Sequence, residues 1–239
     1  MSEVKNIIFD IGNVLLYDFP MESRFLYNIF LASKNKTDIG SFEAFLDLKG
    51  SYELPYHEWV YVWGKSLFQD EWDSIDKNAW DEVLLHWEAS CIVIPDVFEA
   101  LHDYQGDYLF SICANQPTNT LDYLEKKKLL SLFHAVVIDD GLGYSKPEPQ
   151  IFLEVLQKMN LSAKQCLMVG DKYQVDVVPA RTLGMQTALV LNDYNQMEKK
   201  ARNSWEHDYI QHIKKFNEEA IGSDVTVSSV SELFKEIAR

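Results

Sequence analysis

Carboxylates stand directly after two apolar stretches of the chain. Asp10 follows the run Val4–Phe9, and Asp171 and Asp176 follow the run Cys166–Val169. Such runs are typical of buried strands, and open α/β sheets place their ligand sites at the carboxyl ends of strands. An aspartate in this place can also be a simple turn former. If the two ends meet, however, only a hard cation such as Mg²⁺ would relieve the repulsion among three carboxylates.

Two other segments could bind an anion. Lys146 lies in a proline-flanked turn, where it is either a surface residue or points into the same cleft. Ala114 ends one apolar run, and Asn115 begins the segment that leads into a helix predicted to start at Pro117. Proline is favoured in the first turn of a helix, and the free backbone N–H groups of that turn attract anions. We therefore expect an anion site at this helix start.

The elements that would position these residues alternate along the chain. Turn residues and then a helical stretch follow each of the short apolar runs at Val4–Phe9, Tyr108–Ala114, Ala135–Ile138, Cys166–Val169 and Thr187–Leu191. This alternation predicts an α/β domain with a mainly parallel sheet. A further run, Val225–Val227, adds either a late edge strand or a closing turn before a helix over Val230–Ala238.

The strand pattern stops between about Pro20 and Ile94, where helical periodicity with bulky aromatic residues replaces it. This change predicts an inserted helical subdomain. Five of the six tryptophans lie in the insert, at Trp59, Trp63, Trp72, Trp80 and Trp87. Aromatic residues at helical spacing usually pack together, so we expect them to form the core of the insert. The alternative is that one or two of them line a substrate pocket.

The composition limits the class of function. The chain has 239 residues and a net charge of −15, which argues against binding to nucleic acid or to an anionic membrane, because such binding needs clustered Lys and Arg. A small substrate is favoured instead. Cys91, Cys113 and Cys166 show no metal-like spacing and predict buried free thiols in a reducing compartment. The N-terminus lacks a signal-peptide pattern, and no apolar run has membrane-spanning length, so we expect a cytoplasmic protein.

Taken in this order, with a helical insert after the first of them, the chemistry-bearing segments resemble the haloacid dehalogenase (HAD) superfamily. The resemblance spans nearly the whole chain, and it is to members with an α-helical cap inserted after the first strand. It implies a Rossmann-like parallel-sheet core, which we assign to residues 1–18 and 96–239, and a helical cap, which we assign to residues 19–95.

The family resemblance also implies a role for each residue. Asp10 matches the nucleophile that attacks a substrate phosphorus and forms an aspartyl-phosphate. Its carboxylate and the backbone carbonyl of Gly12 would bind Mg²⁺, and Asp171 and Asp176 would hold the metal directly and through water. Lys146 would offset charge on the nucleophile and on the phosphoryl group. Positive charge is needed here because a carboxylate approaches an anionic phosphoryl group only when their repulsion is neutralised.

The chain departs from the family pattern at several positions. Many family phosphatases have a second Asp, which protonates the leaving group, where this chain has Gly12, although other apparent members share the glycine. Asp18 is the next carboxylate downstream and is either a replacement or a linker residue. Ala114 stands where a phosphate-binding Ser or Thr is usual, so groups around Asn115 are the candidates to bind phosphate. Val175 stands where an Asn is common.

The leading prediction is a Mg²⁺-dependent phosphatase of a small phosphorylated metabolite. One alternative is a catalytically weakened member that binds a phosphorylated ligand or a partner protein without turnover, which the Gly12 and Ala114 departures would favour. Another is a dehalogenase-type hydrolase, against which Asp171 and Asp176 argue, because an anionic pair would hinder a carboxylate substrate. The identity of the substrate and the oligomeric state are left open by the sequence.

Overall fold

The predicted apolar runs form the strands of a parallel sheet. The computed structural model describes residues 4–54, 58–215 and 222–238. Within them the sheet has six strands in the order β5-β4-β1-β6-β7-β8, and a two-stranded antiparallel sheet pairs β2 with β3. The strands are β1 (Asn6–Phe9), β2 (Leu16–Tyr17), β3 (Ile92–Val93), β4 (Leu109–Ala114), β5 (Ala135–Ile138), β6 (Cys166–Gly170), β7 (Gln186–Val190) and β8 (Val225–Val227). All six predicted runs are thus strands of one sheet, and the run Val225–Val227 is its edge strand.

The register of the central strands brings their carboxyl ends to one edge. Phe9 at the end of β1 lies opposite Ile112 of β4 and Val169 of β6. Since these three strands run parallel, the residues that follow them emerge side by side. This confirms the predicted α/β class with a parallel, Rossmann-like sheet.

Helices cover both faces of the sheet, because successive residues of a buried strand point to opposite sides. Ile7 and Phe9 of β1 pack in one buried cluster with Phe110 and Phe234. Ile8, between them, packs in a second cluster that includes Phe152. Cys113 and Cys166 also lie in the buried part of the sheet as free thiols, whereas Cys91 is partly exposed, contrary to the prediction for that residue.

Helices of the described residues lie between the strands along the chain and after the last strand. They are α1 (Phe19–Ser33), α2 (Phe42–Leu46), α3 (Glu58–Phe68), α4 (Trp72–Leu85), α5 (Trp87–Ser90), α6 (Val97–Tyr104), α7 (Asn119–Lys126), α8 (Pro149–Met159), α9 (Val178–Thr182), α10 (Tyr194–Lys200), α11 (Ser204–Lys215) and α12 (Val230–Ile237). The helix predicted to start at Pro117 begins two residues later, at Asn119. No helix in the described ranges combines the length and the apolar character needed to cross a membrane.

The chain divides into two compact units. The first consists of Met1–Tyr17, Cys91–Asp193 and Glu219–Arg239, and the second of Asp18–Ser90 and Tyr194–Glu218. The second unit thus includes a stretch after β7 that the sequence led us to assign to the core. The reason lies in distant aromatic and polar contacts: Trp205 stacks on Tyr27 at 5.4 Å between ring centroids, and the Tyr209 hydroxyl donates to Glu22.

The tryptophans of the predicted insert belong to the interior of the second unit. Trp59, Trp72 and Trp87 are buried, and Phe45 contacts both Trp59 and Trp63. The prediction of a tryptophan core is thus confirmed for these three, whereas Trp63 and Trp80 are partly exposed.

Candidate active site

Three aspartates meet at the carboxyl edge of the parallel sheet. Asp10 follows β1, Asp171 follows β6, and Asp176 lies in a π-helical turn, Tyr173–Val177, just beyond β6. One carboxylate oxygen from each of the three lies within 4.8 Å of the others. The sequence placed the three residues at strand ends, and the structure brings them together.

Lys146 supplies the positive charge at this cluster. Its ammonium Nζ lies 2.8 Å from Asp10 Oδ1 and 2.6 Å from Asp176 Oδ1, and only 4% of the residue is exposed. Of the two interpretations that the sequence left open, a surface lysine is therefore wrong. Burial alone would lower the pKa of the Lys146 ammonium, but the charges of Asp10 and Asp176 outweigh burial and raise it.

Asn115 holds the backbone of the Lys146 turn. Its side-chain amide donates to the Lys146 carbonyl oxygen at 2.9 Å and accepts from the Lys146 backbone N–H at 2.8 Å. Both polar ends of the Asn115 side chain are therefore engaged with the lysine turn. This residue was predicted as a phosphate ligand, and in the structure its side chain positions the lysine.

The chemistry of the donor set fits a hard divalent cation. Asp171 Oδ2 accepts a hydrogen bond from Asn13 at 3.0 Å, whereas Asp171 Oδ1 is buried without a hydrogen-bond partner among the described residues. A buried carboxylate oxygen without a partner is costly unless it binds a cation. Mg²⁺ prefers carboxylate oxygens, which Asp10, Asp171 and Asp176 supply.

Burial raises the pKa values of two carboxyls in the metal-free cluster. Burial raises the pKa of the Asp171 carboxyl to about 7, against the opposing charge of Lys172 and with further contributions from Asp10 and Asp176. Burial also raises the pKa of Asp176, against the opposing charge of Lys146. Burial thus makes the ionised forms of both carboxyls less favourable than in water when no cation is present, and a bound cation would favour those forms.

Gly170 makes room for the Asp176 carboxyl. A Cβ atom at Gly170 would lie 2.3 Å from the Asp176 side chain, far inside van der Waals contact. Asp176 Oδ2 also accepts from the Lys172 backbone N–H at 3.0 Å. Asn13 and Gly170 are site residues that the sequence reasoning missed. For Gly170, its place at a strand end immediately before a carboxylate could have indicated the role.

The end of β4 lacks a hydroxyl, and its neighbouring amides already have partners. Ala114 is buried and contributes only a methyl group. The backbone N–H of Gln116 donates to Asp139 Oδ1 at 2.9 Å, and that of Thr118 donates to a second carboxylate, Asp140. The predicted anion site at this helix start thus has the chain's own carboxylates bound to two of its N–H groups. Asp139, which follows β5, was a further carboxylate at a strand end that the sequence reasoning did not single out.

The loop after β1 carries the remaining predicted site residue. Gly12 lies two residues beyond Asp10 and forms an isolated bridge with Leu16. Asp18, the alternative carboxylate weighed from the sequence, belongs to the second unit, where its carbonyl oxygen accepts from two backbone N–H groups at the start of α1.

Comparison with known proteins finds a family model and solved structures that are similar to this chain. A family model described as HAD-hydrolase-like matches residues 143–216, which include Lys146, Asp171 and Asp176. A solved structure titled as a HAD phosphatase from Thermococcus onnurineus has a TM-score of 0.65 and 20% sequence identity, over 98% of each chain. At that identity the likeness shows a shared fold. The predicted fold is confirmed, the match to the family model is limited to residues 143–216, and the cap position stays a prediction.

Two curated relatives of this chain are phosphatases by name. A glyceraldehyde 3-phosphate phosphatase of Pyrococcus abyssi is 33% identical over 82 residues, 34% of this chain and 34% of the relative. A phosphoglycolate phosphatase of Aliivibrio fischeri is 32% identical over 106 residues, 44% of this chain and 45% of the relative. The chain therefore spans less than half the length of these two relatives.

Proposed function

We propose that the protein is a Mg²⁺-dependent phosphatase that hydrolyses a small phosphorylated compound through an aspartyl-phosphate on Asp10. The observation that carries this proposal is the convergence of Asp10 with Asp171, Asp176 and Lys146 at the carboxyl edge of the sheet. The names of the curated relatives support the same reaction class.

The cation would be held by the carboxylates of Asp10, Asp171 and Asp176 and by the Gly12 carbonyl oxygen. When bound, it neutralises phosphoryl charge and helps to orient the substrate. The geometry supports this ligand set because three carboxylates share one small region and one buried Asp171 oxygen has no other partner in the described chain.

Asp10 would act as the nucleophile. Its Oδ1 accepts from the Ile11 backbone N–H at 2.7 Å and from the Lys146 ammonium at 2.8 Å, which fixes the carboxylate. Its other oxygen is then the candidate attacking atom. Covalent catalysis of this kind divides hydrolysis into two displacements, each with a lower barrier.

Lys146 would stabilise charge on the transferred phosphoryl group. Its ammonium is held by two carboxylates and its backbone by Asn115, so the charge is already in place before the substrate binds. Such preorganised charge lowers the barrier because it does not need to reorganise during the reaction.

The test is phosphate release from a panel of phosphorylated sugars, glycolate and glyceraldehyde phosphates, with Mg²⁺ and with EDTA. We expect activity that requires Mg²⁺ and is lost in Asp10→Asn. The matched control is Asp103→Asn, which changes an exposed aspartate of the same unit and should retain activity. Activity that survives in Asp10→Asn would contradict the proposal. Mg²⁺ binding without release from any substrate would favour the binding-only alternative.

A further inference from the structure

The loop that follows the attacking carboxylate offers no ionisable side chain. Ile11 is fully buried, and its backbone N–H donates to Asp10. Gly12 has no side chain, and the Asn13 amide donates to Asp171 Oδ2 at 3.0 Å. The residues adjacent to the proposed nucleophile therefore cannot donate a proton to a departing oxygen.

The neighbouring strand ends contribute groups that are already committed. Ala114 at the end of β4 has only a methyl group, and both polar ends of the Asn115 side chain bind the lysine turn. The Lys146 ammonium lies between two carboxylates, at 2.8 and 2.6 Å. Asp171 and Asp176 belong to the proposed metal ligands. In the stretches 6–17 and 109–115, which surround Asp10, the structure places no other carboxyl group. The Cys113 thiol and the Tyr17 phenol also lie there, and burial raises the pKa of each.

Three ionisable residues outside these stretches are rival donors. Asp18, the carboxylate that the sequence offered as a replacement acid, is buried. Asp139 follows β5, and its carboxylate accepts from the Gln116 backbone N–H at 2.9 Å. Burial raises the pKa of Asp139, and this hydrogen bond opposes that effect. Lys172 directly follows Asp171. Each rival can be removed separately by substitution.

We propose that this site favours substrates whose departing oxygen is weakly basic at neutral pH, such as acyl or aryl phosphates. The inference rests on the proposed function and narrows its substrate class. A departing oxygen that is already a stable anion needs no proton in the transition state. An alkoxide is strongly basic, so alkyl phosphates would react slowly here.

The two displacements balance without a protein acid. An Asp10 oxygen bonds to phosphorus, the bond from phosphorus to the departing oxygen breaks, and the electron pair stays on that oxygen. The product leaves as a carboxylate or a phenolate, which solvent protonates according to its basicity. A water oxygen then bonds to phosphorus, Asp10 leaves as its carboxylate, and the proton of the water passes to solvent.

This sequence of steps separates the two kinetic constants. The value of kcat/KM reports the first displacement and should depend steeply on the departing group. The second displacement is the same for every substrate, because the aspartyl-phosphate is common to all of them. For the faster substrates kcat should therefore approach a shared value.

The experiment compares three substrates that carry the same ring: benzoyl phosphate, phenyl phosphate and benzyl phosphate. Their departing oxygens are, in order, those of a carboxylate, a phenolate and an alkoxide, so fit to the site changes little. We expect kcat/KM to fall along this series and benzyl phosphate to lie about 10²–10⁴-fold below benzoyl phosphate, the usual contribution of general acid catalysis. The ratio of the kcat/KM values for benzoyl and phenyl phosphate shows whether acyl or aryl phosphates are the favoured substrates.

Five variants complete the test. Gly12→Asp should raise the ratio of benzyl to benzoyl phosphate turnover, whereas Gly12→Asn should not, and circular dichroism checks that both fold. Asp18→Asn, Asp139→Asn and Lys172→Met should leave the ratio unchanged. Rates within about tenfold across the wild-type series, or a ratio that falls in any of these last three variants, would mean that a donor exists and would overturn the inference. Mg²⁺-independent or absent release from all three substrates would instead overturn the proposed function.

Discussion

Removal of the Lys146 charge should destabilise the metal-free protein in a pH-dependent way. Lys146→Met leaves Asp10 and Asp176 buried, with side-chain exposures of 9% and 0%, and without their shared cation. Protonation of one carboxyl is the least costly way to remove the repulsion between the two buried carboxylates. With an ordinary aspartate pKa near 4, protonation costs about 4 kcal/mol at pH 7 and about 1.5 kcal/mol at pH 5. A loss of about 3–4 kcal/mol at pH 7 also matches the usual effect of breaking a buried ion pair.

Urea denaturation in EDTA measures this loss. Circular dichroism is the appropriate signal, because all six tryptophans lie in the stretches of the second unit rather than in the unit that holds the site. Lys158→Met is the control, since it removes a half-exposed ion pair with Glu154 at 3.1 Å and should cost less than about 1 kcal/mol. A loss below about 1 kcal/mol for Lys146→Met, or an equal loss at pH 5 and pH 7, would refute the charge-balance reasoning.

Three further substitutions test the geometry of the site. Gly170→Ala places a methyl group 2.3 Å from the Asp176 side chain and should weaken Mg²⁺ binding about 10–100-fold by calorimetry, whereas Gly106→Ala, in open space, should not. Asp171→Asn should stabilise the metal-free protein by up to about 4 kcal/mol at pH 8 and little at pH 4. The sign follows because burial raises the Asp171 pKa to about 7, so the stability of the wild-type protein falls as the pH rises from 4 to 7. A stabilisation by Asp171→Asn that does not change with pH in urea denaturation would contradict this. Asn115→Ala removes two hydrogen bonds to the lysine turn and should lower the free energy of unfolding in urea by about 1–3 kcal/mol. An unchanged free energy of unfolding would mean that the turn is stable without these hydrogen bonds.

The strands and the acidic cluster could be predicted because their signals are local. Each strand of the main sheet is a short apolar run, and parallel pairing necessarily brings the carboxyl ends of β1 and β6 to one edge. Asp10 and Asp171 follow those ends directly. Their convergence therefore required only the fold class, which the alternation of strands and helices specifies.

The contacts that were not predicted depend on distant parts of the chain. Trp205 stacks on Tyr27 from the other end of the sequence, and no local pattern in the polar stretch after β7 indicates this partner. The sequence placed Asn115 correctly at the site but did not predict its hydrogen bonds. An amide after a strand can bind a phosphate as well as the Lys146 backbone.

Phosphoryl transfer to Asp10 is the central claim, and trapping of the covalent intermediate tests it most directly. The protein is mixed with benzoyl phosphate and Mg²⁺, quenched in acid within the first turnovers, digested and analysed by mass spectrometry. We predict a phosphoryl group on the peptide that contains Asp10, absent in EDTA and absent in Asp10→Asn. Phosphate release that proceeds with no phosphorylated peptide, or with the label on another residue, would contradict the account.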